Sequence, residues 1–271
     1  PAGVIWTAIE NGLKVSGFEA IFSSNIPIGS GLSSSAAVEV GFAALLREMG
    51  SWNIDNIELA QLCQRAENDY VGVNCGIMDQ FASANGVDQS AIYLDTDNLN
   101  FQAVALPKDV SIIITDSKKR RSLSTSAYNE RRSSCQEALI ALKTKMPDIN
   151  NLSDVSIENF EKFGQLLSPI TFKRAKHVIE ECNRVDKALT YLQNADIINF
   201  GILMKNGHQS LRDLYEVSIP ELDFLVSTAS KTEGCFGSRL TGAGFGGCTV
   251  SLVENNKRKD FMNHFKKEYF Q

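Results

Sequence analysis

The stretch Pro27-Ile-Gly-Ser-Gly-Leu-Ser-Ser-Ser-Ala36 constrains this chain more than any other. Gly29 and Gly31 let the backbone turn with positive φ and let another group approach closely. Ser33, Ser34 and Ser35 follow, at the start of an alanine- and leucine-rich run over 36–49 that reads as a helix. A short apolar segment over 18–23 precedes the loop and reads as a strand. The helix start offers unpaired N–H groups and the positive end of a dipole, and together these suit a phosphate. A hydroxyl there can also ligate Mg²⁺. The plainer alternative is an ordinary turn whose serines cap the helix, although three consecutive serines exceed what capping needs. No Lys-Ser/Thr pair follows the last glycine, so this is not a Walker A loop.

Charge and composition bound what such a loop serves. The net charge is −5 and the pI near 5.4, which excludes a general nucleic-acid binder. A single nucleotide needs no net positive charge, because backbone N–H groups suffice. With 271 residues, 43% of them hydrophobic, the chain can bury a large core and reaches the length at which chains divide into two domains. No stretch approaches the ~20 apolar residues of a membrane span, and the first residues show no basic segment followed by an apolar run and a cleavage site, so no signal peptide is read in them. The six cysteines form no CxxC pair and only three histidines accompany them, which argues against zinc. The cysteines read as reduced, mostly buried thiols of a cytoplasmic protein.

Along the chain, 1–6 already reads as helix. Gly50 is expected to end the helix over 36–49. Helices are further expected over 56–71, around Met78-Asp79-Gln80-Phe81, and over 124–145, 168–192, 195–205, 219–228 and 257–270. Strands are expected over 91–94, 109–115 and 248–253. Strands and helices mix without a regular βαβ repeat, so the expected class is α+β. A seam near Pro107 divides an N-terminal domain, 1–106, from a C-terminal domain, 107–271.

Several other positions carry possible chemistry. Asp79 places a charge beside Ile77, Met78 and Phe81. Such a placement is costly unless the carboxylate is paired, and it is tolerated at active sites. Glu67, near the end of the second long helix, is by itself as consistent with a solvated helical carboxylate. Phosphoryl transfer to a hydroxyl asks for a phosphate cradle, Mg²⁺ and a carboxylate near the acceptor, and Glu67 and Asp79 can supply the last two. Basic residues bracket Tyr128 at 118–121 and 131–132; the lysines read most simply as a solvated helix start. Gly242-Ala-Gly244-Phe-Gly246-Gly247 fits G-x-G-x-x-G, but a strand rather than a helix follows it, so it is no dinucleotide fingerprint. His208 reads as structural.

The loop resembles the phosphate loop of the GHMP small-molecule kinases, and further motifs resemble the galactokinase family within them. These are Cys75-Gly-Ile-Met-Asp79-Gln, Ser126-Ala-Tyr128-Asn-x-Arg131-Arg132-x-x-Cys135, Asn206-Gly-His208-x-Ser-Leu-Arg212 and Arg239-Leu-Thr-Gly-Ala-Gly-Phe-Gly-Gly-Cys248. The likeness runs from about residue 2 to about residue 266. It implies a ribosomal-protein-S5-domain-2-like N-terminal domain, here incomplete, and a ferredoxin-like α/β-sandwich C-terminal domain. It implies phosphorylation of galactose at its C1 hydroxyl by ATP with Mg²⁺. Carried over by position, Gly29, Ser30, Gly31, Leu32, Ser33, Ser34, Ser35 and Arg120 would meet the nucleotide. Ser35 and Glu67 would ligate Mg²⁺. Asp79, Gly76 and Tyr128 would meet the sugar, with Asp79 either removing the hydroxyl proton or orienting the hydroxyl. Gly242, Gly244, Gly246 and Gly247 would support the phosphate loop.

The family's upstream Arg-x-Asn-Leu-Ile-Gly-Glu-His-Thr-Asp motif, which grips the sugar, does not occur in this chain, and its final strand is not found after Phe270. Weak or no turnover by the chain alone is therefore expected, as are exposed sheet edges. Two alternatives stand beside galactose phosphorylation. One is a GHMP kinase for another sugar, such as N-acetylgalactosamine or arabinose. The other is a non-catalytic galactokinase-like sensor. ATP and galactose are the expected partners, without nucleic acid or membrane; the oligomeric state is open, with a monomer as the simplest case.

Overall fold

The computed structural model describes residues 1–28, 31–120 and 124–269, the side chains of 124–126 excepted. The chain divides into two compact units, Pro1–Ala105 and Leu106–Gln271.

The first unit runs α1 (Ala2–Glu10), α2 (Ser34–Gly50), α3 (Asn56–Arg65), a π-helical turn (Ala66–Val71), α4 (Met78–Asn85), β1 (Ser90–Leu94) and β2 (Phe101–Ala105). Its core forms because Val40, Ala43 and Leu46 recur on one face of α2 and meet Val4 and Ala8 of α1 and Leu59, Leu62 and Cys63 of α3. A capping box starts α3: Asp55 accepts from the Glu58 N–H at 2.8 Å, and Glu58 accepts from the Asp55 N–H at 2.9 Å. β1 and β2 pair antiparallel, from Ser90 opposite Ala105 to Leu94 opposite Phe101.

The second unit contains β3 (Val110–Asp116), α5 (Ser124–Lys143), α6 (Ile157–Phe163), α7 (Pro169–Gln193), α8 (Ile197–Asp213), α9 (Pro220–Lys231), β4 (Cys235–Leu240), β5 (Cys248–Glu254) and α10 (Arg258–Tyr269). The sheet is antiparallel with β5 between β3 and β4. Leu225, Ala229, Val253, Phe261 and Phe265 join α9, β5 and α10 in one core, while α5, α6 and α7 share another around Leu142, Phe160 and Ile179. Helix α8 meets β4 backbone to backbone. A Cβ at Gly201 would lie 2.3 Å from the Phe236 carbonyl, and one at Gly237 would lie 2.3 Å from the Gly201 carbonyl. Glycine is required at both.

The architecture is α+β, as the mixed pattern implied. Four local expectations are corrected. Residues 18–23 lie in no sheet: the apolar run is there, but no strand among the described residues pairs with it, and Ile21 is fully exposed. Gly50 is the last residue of α2 rather than its left-handed cap; Ser51 takes that place at φ 54°. Gly50 is needed for packing instead, since its Cβ would lie 2.3 Å from Trp52 Nε1, which donates to the Lys14 carbonyl. The helix expected over 56–71 is α-helical only to Arg65 and then widens into the π turn. Of the six free cysteines, Cys63 and Cys248 are buried and the other four half-buried, so they are less enclosed than expected. Strands β2 and β4 and helix α6 were not anticipated. Among the described residues, no helix is long and apolar enough to cross a membrane.

Candidate active site

In the first unit, the phosphate-loop candidate leads into α2. Gly29 and Ser30 lie outside the described residues. Gly31 has φ 82°, and Ser33 is left-handed at φ 55° although it carries a side chain. Such backbone is unfavourable outside glycine and clusters at functional sites. Ser33 is the residue before the first turn of α2, yet its side chain makes no capping hydrogen bond. Capping therefore does not account for its hydroxyl. Ser34 is half-buried and Ser35 exposed.

Helices α2, α3 and α4 pack on one another. Glu67 is half-buried in the π turn, a geometry that recurs at functional sites. Asp79 is half-buried in the first turn of α4, where the helix dipole favours a negative charge. Ile77 and Phe81 beside it are buried, whereas Met78 is exposed. Gly76 is exposed, and a Cβ there would meet nothing.

Sequence reasoning missed a third carboxyl. Glu39 stands one turn beyond Ser35 on α2 and is only 7% exposed. It accepts a hydrogen bond from Gln80 Nε2 at 3.1 Å, and its carboxyl lies beside that of Glu67. Burial, then the contact with Glu67, pushes its carboxyl up to about 8, against the opposing bond from Gln80. The neighbouring Cys75 thiol is also raised, by burial and then by Glu67. The signal that could have found Glu39 is a lone acid in the apolar run Ala36-Ala-Val-Glu-Val-Gly-Phe-Ala-Ala-Leu-Leu46.

In the second unit, the other glycine loop joins β4 to β5. Gly242, Gly244, Phe245, Gly246 and Gly247 all have positive φ. The Phe245 N–H donates to the Val217 carbonyl at 2.7 Å, and the Gly247 N–H donates to the Lys119 carbonyl at 3.0 Å. A Cβ at Gly244 would lie 2.2 Å from the Val217 carbonyl. The loop is thus enclosed by 117–120 on one side and by 214–217 on the other. Exposed Arg120 sits next to Lys119 on the first of these segments. Lys118 and Lys119 pair with Asp116 and Glu221 at 3.2 and 3.0 Å, and neither lies in a helix.

Two buried arginines carry 214–217. Arg131 donates to the Tyr215 and Glu216 carbonyls at 2.7 and 2.9 Å, and its guanidinium lies 5.7 Å from the Phe245 ring centroid. Arg174 pairs with the Glu216 carboxylate at 2.6 Å. Tyr128, 37% exposed, lies three residues before Arg131 on α5. His208 is an internal strut: Nδ1 accepts the Leu240 N–H at 3.3 Å and Nε2 faces Asp223 at 3.1 Å.

Residues 2–87 match the model described as the GHMP kinases N terminal domain, and 187–270 the one described as GHMP kinases C terminal. The chain is 46% identical to a galactokinase of Clostridium beijerinckii, the alignment covering 99% of this chain and 70% of the relative. The chain belongs to the galactokinase family. A galactokinase of Fusobacterium nucleatum is 44% identical at the same coverage. The crystal structure of Lactococcus lactis galactokinase complexed with galactose superposes with a TM-score of 0.91 at 37% identity, over 98% of this chain and 69% of that one. L. major mevalonate kinase, a likeness of fold alone, has a TM-score of 0.63 at 19% identity, over 98% of this chain and 72% of that one.

This galactokinase-family chain is therefore a kinase with the GHMP α+β architecture, and kinase membership brings ATP as the phosphoryl donor. Its first unit carries Ser33, Ser34, Ser35, Glu67 and Asp79; its second carries Arg120, Tyr128 and the four glycines. Among the described residues no group of three His, Cys, Asp or Glu side chains could hold a metal ion. A hard-oxygen set of one or two carboxyls nonetheless fits Mg²⁺, which keeps waters and takes substrate phosphates as its remaining ligands. Half-buried Glu67 offers one such carboxyl.

Proposed function

We propose that this chain is the catalytic body of a galactokinase, transferring the γ-phosphoryl group of ATP to the C1 hydroxyl of galactose. The observation that carries this is the grouping of an uncapped Ser33, Glu67 and Asp79 on mutually packed elements of a galactokinase-family chain. The Lactococcus lactis relative, solved with galactose, supports the sugar assignment.

In this reading the Gly29–Ser35 loop, Leu32 included, meets the phosphates, with Arg120 near the nucleotide. Ser35 and Glu67 hold Mg²⁺, which neutralises developing phosphate charge when bound. Asp79 receives the hydrogen bond of the sugar's C1 hydroxyl, aligning its oxygen for attack. Gly76 leaves room for the sugar, and Tyr128 offers it an apolar face and one hydroxyl. The glycines 242, 244, 246 and 247 fix the second loop.

The test is galactose-dependent ADP release, measured in a chain extended to the length of the curated relatives. Asp79→Ala should lower kcat by about 10³-fold and leave MgATP affinity unchanged. Turnover retained by the variant defeats the role of Asp79. Sugar and nucleotide binding with no turnover in the wild type identifies a sensor. Preference for N-acetylgalactosamine or arabinose over galactose reassigns the substrate.

A further inference from the structure

Glu39 has no part in the roles given above, yet it joins the elements that carry them. It lies one helical turn beyond Ser35, touches Glu67 in the π turn, and holds Gln80, the residue after Asp79. Gln80 is 2% exposed, and its amide also reaches Cys75 Sγ at 3.9 Å. Cys75 is fixed in turn from the segment around Glu67: its N–H donates to Asn68 Oδ1 at 3.0 Å, and its carbonyl accepts from Gln64 Nε2 at 3.3 Å. One buried carboxyl therefore connects α2, the π turn and the start of α4.

Stability alone does not account for a carboxyl at this position. Burying it costs free energy that an apolar side chain of similar size avoids, and its neighbours in the helix are apolar. Its two contacts instead link Glu67 to the start of α4. Loss of Glu39 would leave the Gln80 amide without its carboxyl acceptor in a buried place, and Gln80 Oε1 is already unpartnered there.

We propose that Glu39 is a positioning residue, which holds Glu67 in place for the metal–nucleotide complex through its contacts with Glu67 and Gln80. It acts on the metal through Glu67 and is not itself a ligand. The inference rests on the reading of Glu67 as a metal ligand.

The test is calorimetric titration of ATP into this chain, once with excess MgCl₂ and once with EDTA. The quantity read is the gain in ATP affinity that Mg²⁺ confers. Glu39→Ala should reduce that gain by about 10-fold or more while leaving the affinity in EDTA unchanged. Glu39→Gln can donate to Glu67 and accept from Gln80, so it should keep the gain. A full gain in Glu39→Ala overturns the inference. Loss of the gain in Glu39→Gln overturns it as well, because charge and not placement is then required. Should Glu39→Ala fail to fold, Gln80→Met removes the same connection and should show the same loss; a full gain there also overturns it. A wild type without any Mg²⁺-dependent gain refutes Glu67 as a metal ligand, and this inference falls with it.

Discussion

The two units enclose buried acids in opposite ways. In the first, Glu39 meets a second carboxyl and an amide, and its carboxyl is pushed up to about 8. In the second, Glu181 meets Arg239 Nη1 and Arg184 Nε, each at 2.6 Å. Burial draws the Glu181 carboxyl upward, but the two guanidinium groups more than offset it and hold it below the usual range. The same residue type is thus electrostatically complete in one place and incomplete in the other. A paired acid needs nothing further. An acid against an acid needs a proton or a cation, and that is the expected condition of a site built to receive one. The second unit extends its pairing to the glycine loop, through Arg131, Arg174 and Glu216.

The sharpest way to test this completeness is pH. His177 lies among the paired charges, 5% exposed, with Nδ1 2.8 Å from Ser210 Oγ and its ring stacked on Tyr215. Burial first depresses its pKa to about 4 from 6.5; Glu181 opposes this, while Arg184, Arg239 and Arg174 reinforce it. A folded pKa below the unfolded one means that the unfolded chain takes up the proton first. The stabilisation is therefore complete above pH 6.5 and is lost as pH falls toward about 4. Between those limits the wild type should lose about 3 kcal/mol more unfolding free energy than His177→Gln. Urea unfolding of both proteins at several pH values measures the difference. Parallel pH profiles would mean that the interior around His177 accepts charge, and the contrast between the units would fail.

A smaller effect is expected from breaking one pair. The Arg174 side chain is 4% exposed and its partner Glu216 is 47% exposed. Because Glu216 can return to water, Arg174→Met should cost only about 2 kcal/mol, mostly for the lost charged hydrogen bonds. The exposed Arg212–Asp213 pair is the control, and Arg212→Ala should stay within about 0.5 kcal/mol. Equal losses at the two sites would show that burial of Arg174 adds nothing.

What could be read in the sequence follows the range of the forces involved. The two glycine loops and the acids at 67 and 79 are visible because loop and helix-end chemistry is written in adjacent residues. The helices are visible because 3.6-residue periodicity is local. Residues 18–23 show the limit of that reading: alternation describes side chains and does not say whether a partner strand exists. Strand β4 escapes because Gly237 and Arg239 break its apolar pattern, and glycine is there to admit Gly201. The π turn leaves no compositional trace. Glu39 escapes because its partners lie 28 and 41 positions away, at Glu67 and Gln80, and only the tertiary fold brings them to it.

The smallest effect separates stability from site chemistry inside the first unit. Asp55 and Glu58 make a reciprocal cap at the start of α3, exposed to solvent. Glu67 lies just beyond the other end of that helix. Asp55→Ala removes one capping acceptor and should cost about 1 kcal/mol, measured by urea unfolding. Its influence falls on the first turn of α3 and does not reach the contacts among Glu39, Glu67 and Gln80. The Mg²⁺-dependent gain in ATP affinity should therefore remain that of the wild type. If it falls together with stability, any loosening of α3 displaces Glu67, and the fixed placement of that carboxyl belongs to the helix as a whole rather than to Glu39.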